Sequence, residues 1–173
     1  DEWMFDAEVA ARYDDWYQIP IGAFADEVET ALAFDLFRVR PGELILDAGC
    51  GTGHFSLKLA AKGAQVVGVD VAPAMLALAR EKAARQKQEL TFTQMDICHL
   101  NYPPHYFHGV VSLAAFEFVR DRKRAFLELM RVLKPGGRLL IATINQDSSW
   151  GDYYIQLAQS SDSVFRHARF MTW

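Results

Sequence analysis

The segment Leu44-Ile45-Leu46-Asp47-Ala48-Gly49-Cys50-Gly51-Thr52-Gly53 decides the fold. Three consecutive apolar residues at 44–46 predict a buried strand, and glycines at every second position predict a tight turn into a helix. Glycine lets the backbone bend sharply and approach a ligand where a side chain would collide. The helix start offers unpaired N–H groups. Asp47, at the end of the strand, would repel a pyrophosphate and attract the cation of an amino acid.

A nicotinamide-binding domain is the alternative interpretation of this turn. The fingerprint of such domains is G-x-G-x-x-G. In this chain the glycines lie at 49, 51 and 53, and the residue three positions after Gly51 is His54. The spacing disfavours an NAD-dependent oxidoreductase without excluding it.

Composition limits the classes of partner. The 173 residues are 51% apolar, which is enough for one sizeable core. The net charge is −4 and the sequence has no long basic run, so we expect no nucleic-acid partner. Two cysteines, Cys50 and Cys98, suggest no disulfide framework. There is no long apolar run and no leader segment, so we expect no membrane partner and a cytoplasmic location. No metal site is predicted.

Apolar runs and amphipathic stretches alternate along the chain. Strands are predicted at 44–46, 65–69, 90–94, 109–113 and 137–144, with helices at 5–17, 23–38, 55–62, 73–86 and 122–133. The second helix carries Phe24, Val28, Ala31, Leu32 and Leu36 on one face. Strands that alternate with helices form parallel sheets through right-handed crossovers. The sequence therefore predicts an α/β fold with a doubly wound, mostly parallel sheet.

Three acidic residues follow three successive strands, namely Asp47, Asp70 and Asp96. Because the carboxyl ends of the strands line the ligand crevice of a doubly wound sheet, these side chains are expected to converge. Asp70 stands 17 residues after Gly53, where a carboxylate can accept hydrogen bonds from both hydroxyls of a ribose. Asp96 could accept a hydrogen bond from the amino group of an adenine.

The stretch from about 43 to 144 resembles the class I S-adenosylmethionine (SAM) methyltransferases of the small-molecule type. The resemblance lies in ELILDAGCGTGHFSLKLA, VVGVDVAPAMLALAR, LTFTQMDICHL, GVVSLAAFEFV and RAFLELMRVLKPGGRLLIATIN. It implies a Rossmann-like core, SAM as cofactor, S-adenosylhomocysteine (SAH) as product and a small-molecule methyl acceptor. The alternative within this family is a SAM-binding module or fragment without catalytic activity.

The resemblance also implies roles for individual residues. Asp47 and Gly49 would hold the methionine moiety, and Leu113 would lie near the sulfonium. Asp70 would bind the ribose, while Gly51 and Gly53 would shape the turn. Around the adenine, Val71 and Met75 would pack near the ring, and Asp96 and Ile97 would contact its edge. Tyr13 is the expected cofactor contact from the N-terminal helix. Tyr17, Trp150 and His167 are candidate substrate contacts, and His167 or Tyr13 could act as a base. No catalytic residue is identified.

The predicted organisation has three parts: an N-terminal helical cap at 1–42, a SAM-binding core at 43–148 and a partial substrate cap at 149–173. The core of the family has seven strands, whereas this sequence stops after the fifth. We therefore expect that strands six and seven are lacking and that the chain is part of a longer protein. The fifth strand would then be an unpaired edge, which allows homodimerisation.

Overall fold

Five parallel strands form one sheet in the order β3-β2-β1-β4-β5. The computed structural model describes residues 5–161 and 163–172; positions 1–4, 162 and 173 of the predicted terminal segments lie outside the described residues. The strands are β1 (Leu44–Ala48), β2 (Gln65–Asp70), β3 (Thr91–Gln94), β4 (Phe107–Leu113) and β5 (Leu133–Ala142). The strand order reverses direction between β1 and β4, which creates a crevice at their carboxyl ends.

In the described part of the chain, six α-helices accompany the sheet. They are α1 (Ala7–Tyr13), α2 (Pro20–Phe37), α3 (His54–Ala61), α4 (Pro73–Arg85), α5 (Arg122–Val132) and α6 (Ser149–Leu157). Short 3-10 turns cover Asp14–Gln18, Phe116–Phe118 and Val164–His167. Within the described residues, no helix is long and apolar enough to cross a membrane. The predicted α/β, doubly wound architecture is confirmed.

Both faces of the sheet are covered by helices. On one face, Phe37 of α2 and Leu59 of α3 belong to a buried cluster with Ile45 of β1. On the other face, Leu129 of α5 shares a buried cluster with Leu46, the next residue of the same strand. Successive residues of a strand point to opposite faces, so the apolar run of β1 supplies both halves of the core.

Two predicted boundaries are wrong at the N-terminal end. The helix predicted at 5–17 ends at Tyr13 and continues as the 3-10 turn, and the second helix begins at Pro20 instead of Ala23. Proline suits the first turn of a helix because its missing N–H has no intrahelical partner there. Pro20 therefore starts α2.

The fifth strand also differs from its prediction. It begins at Leu133, which pairs with Phe107, and a register shift follows before Arg138 pairs with Gly109. The predicted start at 137 missed this first pairing because the intervening Pro-Gly-Gly segment reads locally as a turn. The strand predicted at 109–113 likewise begins two residues earlier, at Phe107.

The apolar face of α2 is exposed. Phe24, Leu32 and Leu36 keep 60%, 57% and 60% of their surface, whereas Ala25, Ala33 and Phe37 are buried. Small residues let a helix approach its neighbours closely, so α2 packs through its alanines and Phe37. The hydrophobic pattern identified the helix but not the face that it buries.

Phe37 and Phe24 provide a matched test of this packing. Phe37→Ala should lower the free energy of unfolding by about 3–5 kcal/mol, because it leaves a cavity under α2. Phe24→Ala, at an exposed position of the same helix, should change it by about 0.5 kcal/mol or less. Urea denaturation followed by circular dichroism measures both values. Equal losses in the two variants would contradict the observed orientation of α2.

Candidate functional site

A cavity of about 850 Å³ opens at the carboxyl ends of the strands, a volume within the range of small-ligand sites. Most of the residues that the sequence singled out line it, namely Tyr13, Tyr17, Asp47, Gly49, Gly51, Asp70, Val71, Met75, Asp96, Ile97 and Leu113. Gly53, Trp150 and His167 are not among the lining residues. The structure thus gathers side chains from an N-terminal helix and four strand ends around one space.

The glycine turn forms the floor of this cavity. Gly49 has a φ of +80°, and a Cβ at this position would lie 2.5 Å from the Cβ of Ala115. Gly53 has a φ of +72° and caps α3, where a Cβ would lie 2.9 Å from Cζ of Phe92. Side chains at these two positions would therefore be strained and would collide. Gly53 serves the packing of the turn and Gly49 keeps the cavity floor open.

Asp70 fixes the turn to the end of β2. Its Oδ2 accepts a hydrogen bond of 2.8 Å from the N–H of Gly51, and its Oδ1 accepts one of 2.9 Å from the N–H of Ala72. Burial raises the pKa of the Asp70 carboxyl, and these backbone hydrogen bonds oppose that change. The carboxyl is held in one orientation at the wall of the cavity, and each oxygen retains capacity to accept a further hydrogen bond.

Asp47 is a buried acid with no cationic partner among the residues that the structure describes. Its side chain accepts a hydrogen bond of 2.5 Å from the hydroxyl of Ser56, and only 2% of the residue is exposed. Burial and, to a smaller extent, the charge of Asp70 raise the pKa of Asp47 to about 6, although the Ser56 hydrogen bond acts in the opposite direction. Throughout residues 5–161 and 163–172, no lysine or arginine pairs with this carboxyl. A cation bound in the cavity would complement it.

The far wall of the cavity is formed by residues that follow β2 and β3. Met75 is 2% exposed, and its Cε would lie 3.3 Å from a Cβ at Gly51. Asp96 accepts a hydrogen bond of 2.8 Å from the N–H of Cys98 through Oδ1. Ile97 is buried beside it. Apolar surface next to an oriented carboxylate suits a flat heterocycle with an amino group.

Tyr13 and Tyr17 come from the N-terminal segment. Burial and neighbouring carboxylates, Asp70 foremost, raise the pKa of Tyr13 to about 12, so its hydroxyl stays protonated at neutral pH. That makes Tyr13 a hydrogen-bond donor and a poor base. Tyr17 stacks on His54 with ring centroids 3.8 Å apart, and Nε2 of His54 lies 3.0 Å from Oδ1 of Asp26.

A polar contact that the sequence did not predict ties this segment to the glycine turn. Asp14 accepts hydrogen bonds of 2.6 Å from the Thr52 hydroxyl and from Nζ of Lys82. The three residues are far apart in sequence, and no local pattern connects them. The ion pair and the shared hydroxyl hold Tyr13 over the cavity.

Two further acids were also missed. Glu29 of α2 lines the cavity, and burial raises its pKa. Glu117, on the 3-10 turn after β4, is 1% exposed; its Oε1 accepts a hydrogen bond of 2.5 Å from the N–H of Ile144, and its Oε2 has no partner within the described part of the chain. Neither lies in a motif, and only the folded chain brings them near the cavity.

Trp150 and His167 lie in the C-terminal segment. Trp150 packs edge-on against Tyr153 at 5.9 Å, and His167 accepts a hydrogen bond of 2.8 Å from Nε of Arg166. Their substrate roles stay predictions.

No group of three or more metal-ligating side chains is found in the part of the chain that the structure describes. Burial raises the pKa of the Cys50 thiol well above its usual value, so Cys50 is no nucleophile at neutral pH.

The raised pKa of Asp47 predicts a pH-dependent stability. Because the folded-state pKa of about 6 exceeds the unfolded value of 3.8, the protonated form stabilises the ligand-free protein at low pH, and this contribution is lost as the pH rises from about 4 to about 6. Asp47→Asn should abolish that loss. The variant should become more stable than wild type by up to about 3 kcal/mol at pH 7, as measured by urea denaturation across this pH range. A difference that does not change with pH would contradict the assignment.

A family model for the methyltransferase domain matches residues 46–141. A demethylmenaquinone methyltransferase of Thermus thermophilus is 39% identical over 137 residues, which are 78% of this chain and 62% of that protein. A ubiquinone biosynthesis O-methyltransferase of Aeromonas salmonicida is 36% identical over 107 residues, or 61% of this chain and 45% of that protein. The chain thus spans roughly half of the length of these curated relatives.

Solved structures agree in fold. One is a SAM-dependent methyltransferase of Thermotoga maritima, described as a possible histamine N-methyltransferase. It superposes with a TM-score of 0.76, and the superposed region includes 99% of this chain and 74% of that protein's chain. Because the two sequences are only 20% identical, this likeness shows the fold alone. The [4+2]-cyclase SpnF superposes with a TM-score of 0.66 at 29% identity, over 72% of this chain and 47% of its own. The matched domain includes the glycine turn, Asp70, Asp96 and β4. The chain belongs to the class I SAM-dependent methyltransferases.

Proposed function

We propose that this chain binds SAM and transfers its methyl group to a nucleophilic atom of a small molecule. The observation that carries the proposal is the buried Asp47 carboxyl, which has no cationic partner within the described residues and lies in β1, just before a glycine turn that leaves room for a ligand. SAM has an amino-acid ammonium and a sulfonium. Those charges fit this cavity, whereas a pyrophosphate would meet repulsion from Asp47.

The proposed cofactor contacts follow the cavity wall. Asp47 and Gly49 would hold the methionine moiety, and Asp70 would accept hydrogen bonds from the ribose. Val71 and Met75 would pack on the adenine, with Asp96 and Ile97 at its edge. Leu113 would lie near the sulfonium. Gly51 and Gly53 shape the turn, and Tyr13 covers it.

Methyl transfer of this kind depends on alignment and on removal of water. When bound, SAM supplies a methyl group already activated by the sulfonium. The protein then needs to hold the acceptor in line and to exclude solvent. Asp14, Thr52 and Lys82 fix the segment that carries Tyr13, which supports the exclusion of water from the cavity.

The acceptor is proposed to be a small molecule because the relatives include a demethylmenaquinone methyltransferase and a ubiquinone biosynthesis O-methyltransferase. A cytoplasmic location and a homodimer stay predictions from the sequence.

A SAM-dependent reaction without methyl transfer is the second candidate. It is favoured by a 33% identical relative, a SAM-dependent Diels-Alderase of Neonectria that matches 81% of this chain and 54% of its own length, and by the likeness to SpnF. Formation of SAH during turnover distinguishes methyl transfer from this alternative.

Calorimetric titration with SAH, in parallel with NADH, tests the cofactor class. We expect SAH to bind with one site per chain and NADH to give no heat of binding, because Asp47 disfavours the pyrophosphate. Binding of NADH alone would overturn the proposal. A folded sample that binds neither ligand would also contradict it.

Asp70→Asn tests the ribose contact. The substitution removes a charged acceptor and disturbs its support of the turn, so the affinity for SAH should fall about 10- to 100-fold. Asp152→Asn, a matched change at an exposed position of α6, should leave the affinity unchanged. Circular dichroism confirms that each variant is folded. A folded Asp70→Asn variant with wild-type affinity would refute the role of Asp70.

A further inference from the structure

The cavity extends along α2 beyond the residues proposed to hold the cofactor. Tyr17, Glu29 and Thr30 line this part, with Tyr13 at its edge; we call these four residues the acceptor wall. Phe55 and Leu113 add apolar surface to the lining. The wall therefore combines aromatic rings, apolar surface and one carboxyl group.

The lining of the whole cavity is acidic. Six carboxyl groups contribute to it, and the arginines that do so are Arg120 and Arg124. Both arginines follow β4 in the chain, whereas the 18 residues of α2 include no lysine or arginine. The acceptor wall therefore receives no cation from its own helix, and the cation that contacts it is Lys58 of α3, which donates a hydrogen bond of 2.7 Å to the Thr30 hydroxyl.

Glu29 differs from the other five acids of the lining. Each of those five accepts a hydrogen bond from the protein: Asp26 from Lys58, Asp47 from Ser56, Asp70 from Gly51, Asp96 from Cys98 and Asp121 from Arg124. Lys58 lies 2.6 Å from Asp26 and so neutralises the nearest acid on α2. Glu29 alone accepts no hydrogen bond and forms no ion pair within residues 5–161 and 163–172.

Tyr13 and Tyr17 line the same cavity as this unpaired carboxyl group. In keeping with that arrangement, the charge of Glu29 contributes to the raised pKa values of both tyrosines, after burial and other carboxylates. Glu117, whose Oε2 has no hydrogen-bond partner within the described residues, also raises the pKa values of Glu29 and Tyr13. Aromatic faces and an unpaired carboxylate are groups that bind an organic cation.

We propose that the methyl acceptor is an amine whose nitrogen binds at Glu29 between the tyrosines of the acceptor wall. This inference rests on the proposed function. The ammonium form of the amine first gives one proton to water. The lone pair of the resulting neutral amine then forms the new N–C bond while the S–C bond breaks and its electron pair stays on sulfur, giving SAH. Positive charge thereby moves onto the nitrogen, where the Glu29 carboxylate stabilises it. The nitrogen then loses its proton to water.

A pair of small probes tests the inference by binding. The protein is saturated with SAH and titrated with 2-phenylethylamine and with 2-phenylethanol, which share size and ring but differ in charge, and NMR chemical shifts report the affinities. We expect the amine to bind at least about tenfold more tightly, a difference of about 1.4 kcal/mol. Glu29→Gln should remove this preference and leave the affinity for SAH within about twofold.

Glu27→Gln is the matched control, because Glu27 and Glu29 are both exposed acids of α2 and only Glu29 lines the cavity. It should retain the preference for the amine. The inference would be overturned if the wild type bound the two probes with equal affinity or bound neither of them. A Glu29→Gln variant that keeps the preference or loses SAH affinity instead would also overturn it. Failure of the wild type to bind SAH would contradict the proposed function itself, whereas SAH binding without an amine preference contradicts only the amine inference.

Discussion

The hydrogen bond from the Gly51 N–H to the Asp70 carboxyl joins the glycine turn to the end of β2, and the rest of the site depends on it. The turn sets the direction of α3, and α3 carries Ser56, which holds Asp47. The same turn carries Thr52, whose hydroxyl binds Asp14 of the N-terminal segment. One backbone donor therefore relates the floor, the wall and the cover of the cavity.

Unbalanced negative charge is the second constraint on the molecule. Within the described residues, Asp47 and Asp70 are buried and form no ion pair, which is unfavourable in the ligand-free state, and burial raises the pKa values of both carboxyl groups. Such groups reduce stability so that a site can complement its ligand. A cationic cofactor would relieve this repulsion. We infer the same charge complementarity for the methyl acceptor, because the acceptor wall contains the unpaired Glu29 carboxylate.

The sequence predicts the parts of this molecule whose signals are local. The glycine spacing, the apolar run of β1 and the acids after successive strands predicted the fold class and part of the cavity lining, including Asp47, Asp70 and Asp96. Contacts between distant positions had no such signal, as with Asp14 and Lys82, which are 68 residues apart. Glu29 lies on a helix whose pattern drew attention to the apolar residues instead. The face that α2 buries depends on close packing of alanines, which hydrophobic periodicity does not report.

A crystal structure of the complex with SAH tests the central claim most directly. The account predicts that the ribose hydroxyls lie within about 3.2 Å of the Asp70 carboxyl oxygens, with the amino group of the homocysteine moiety beside Asp47 and the Gly51–Asp70 hydrogen bond intact. A nucleoside bound away from Asp70, or a turn that has released this carboxylate, would contradict the account.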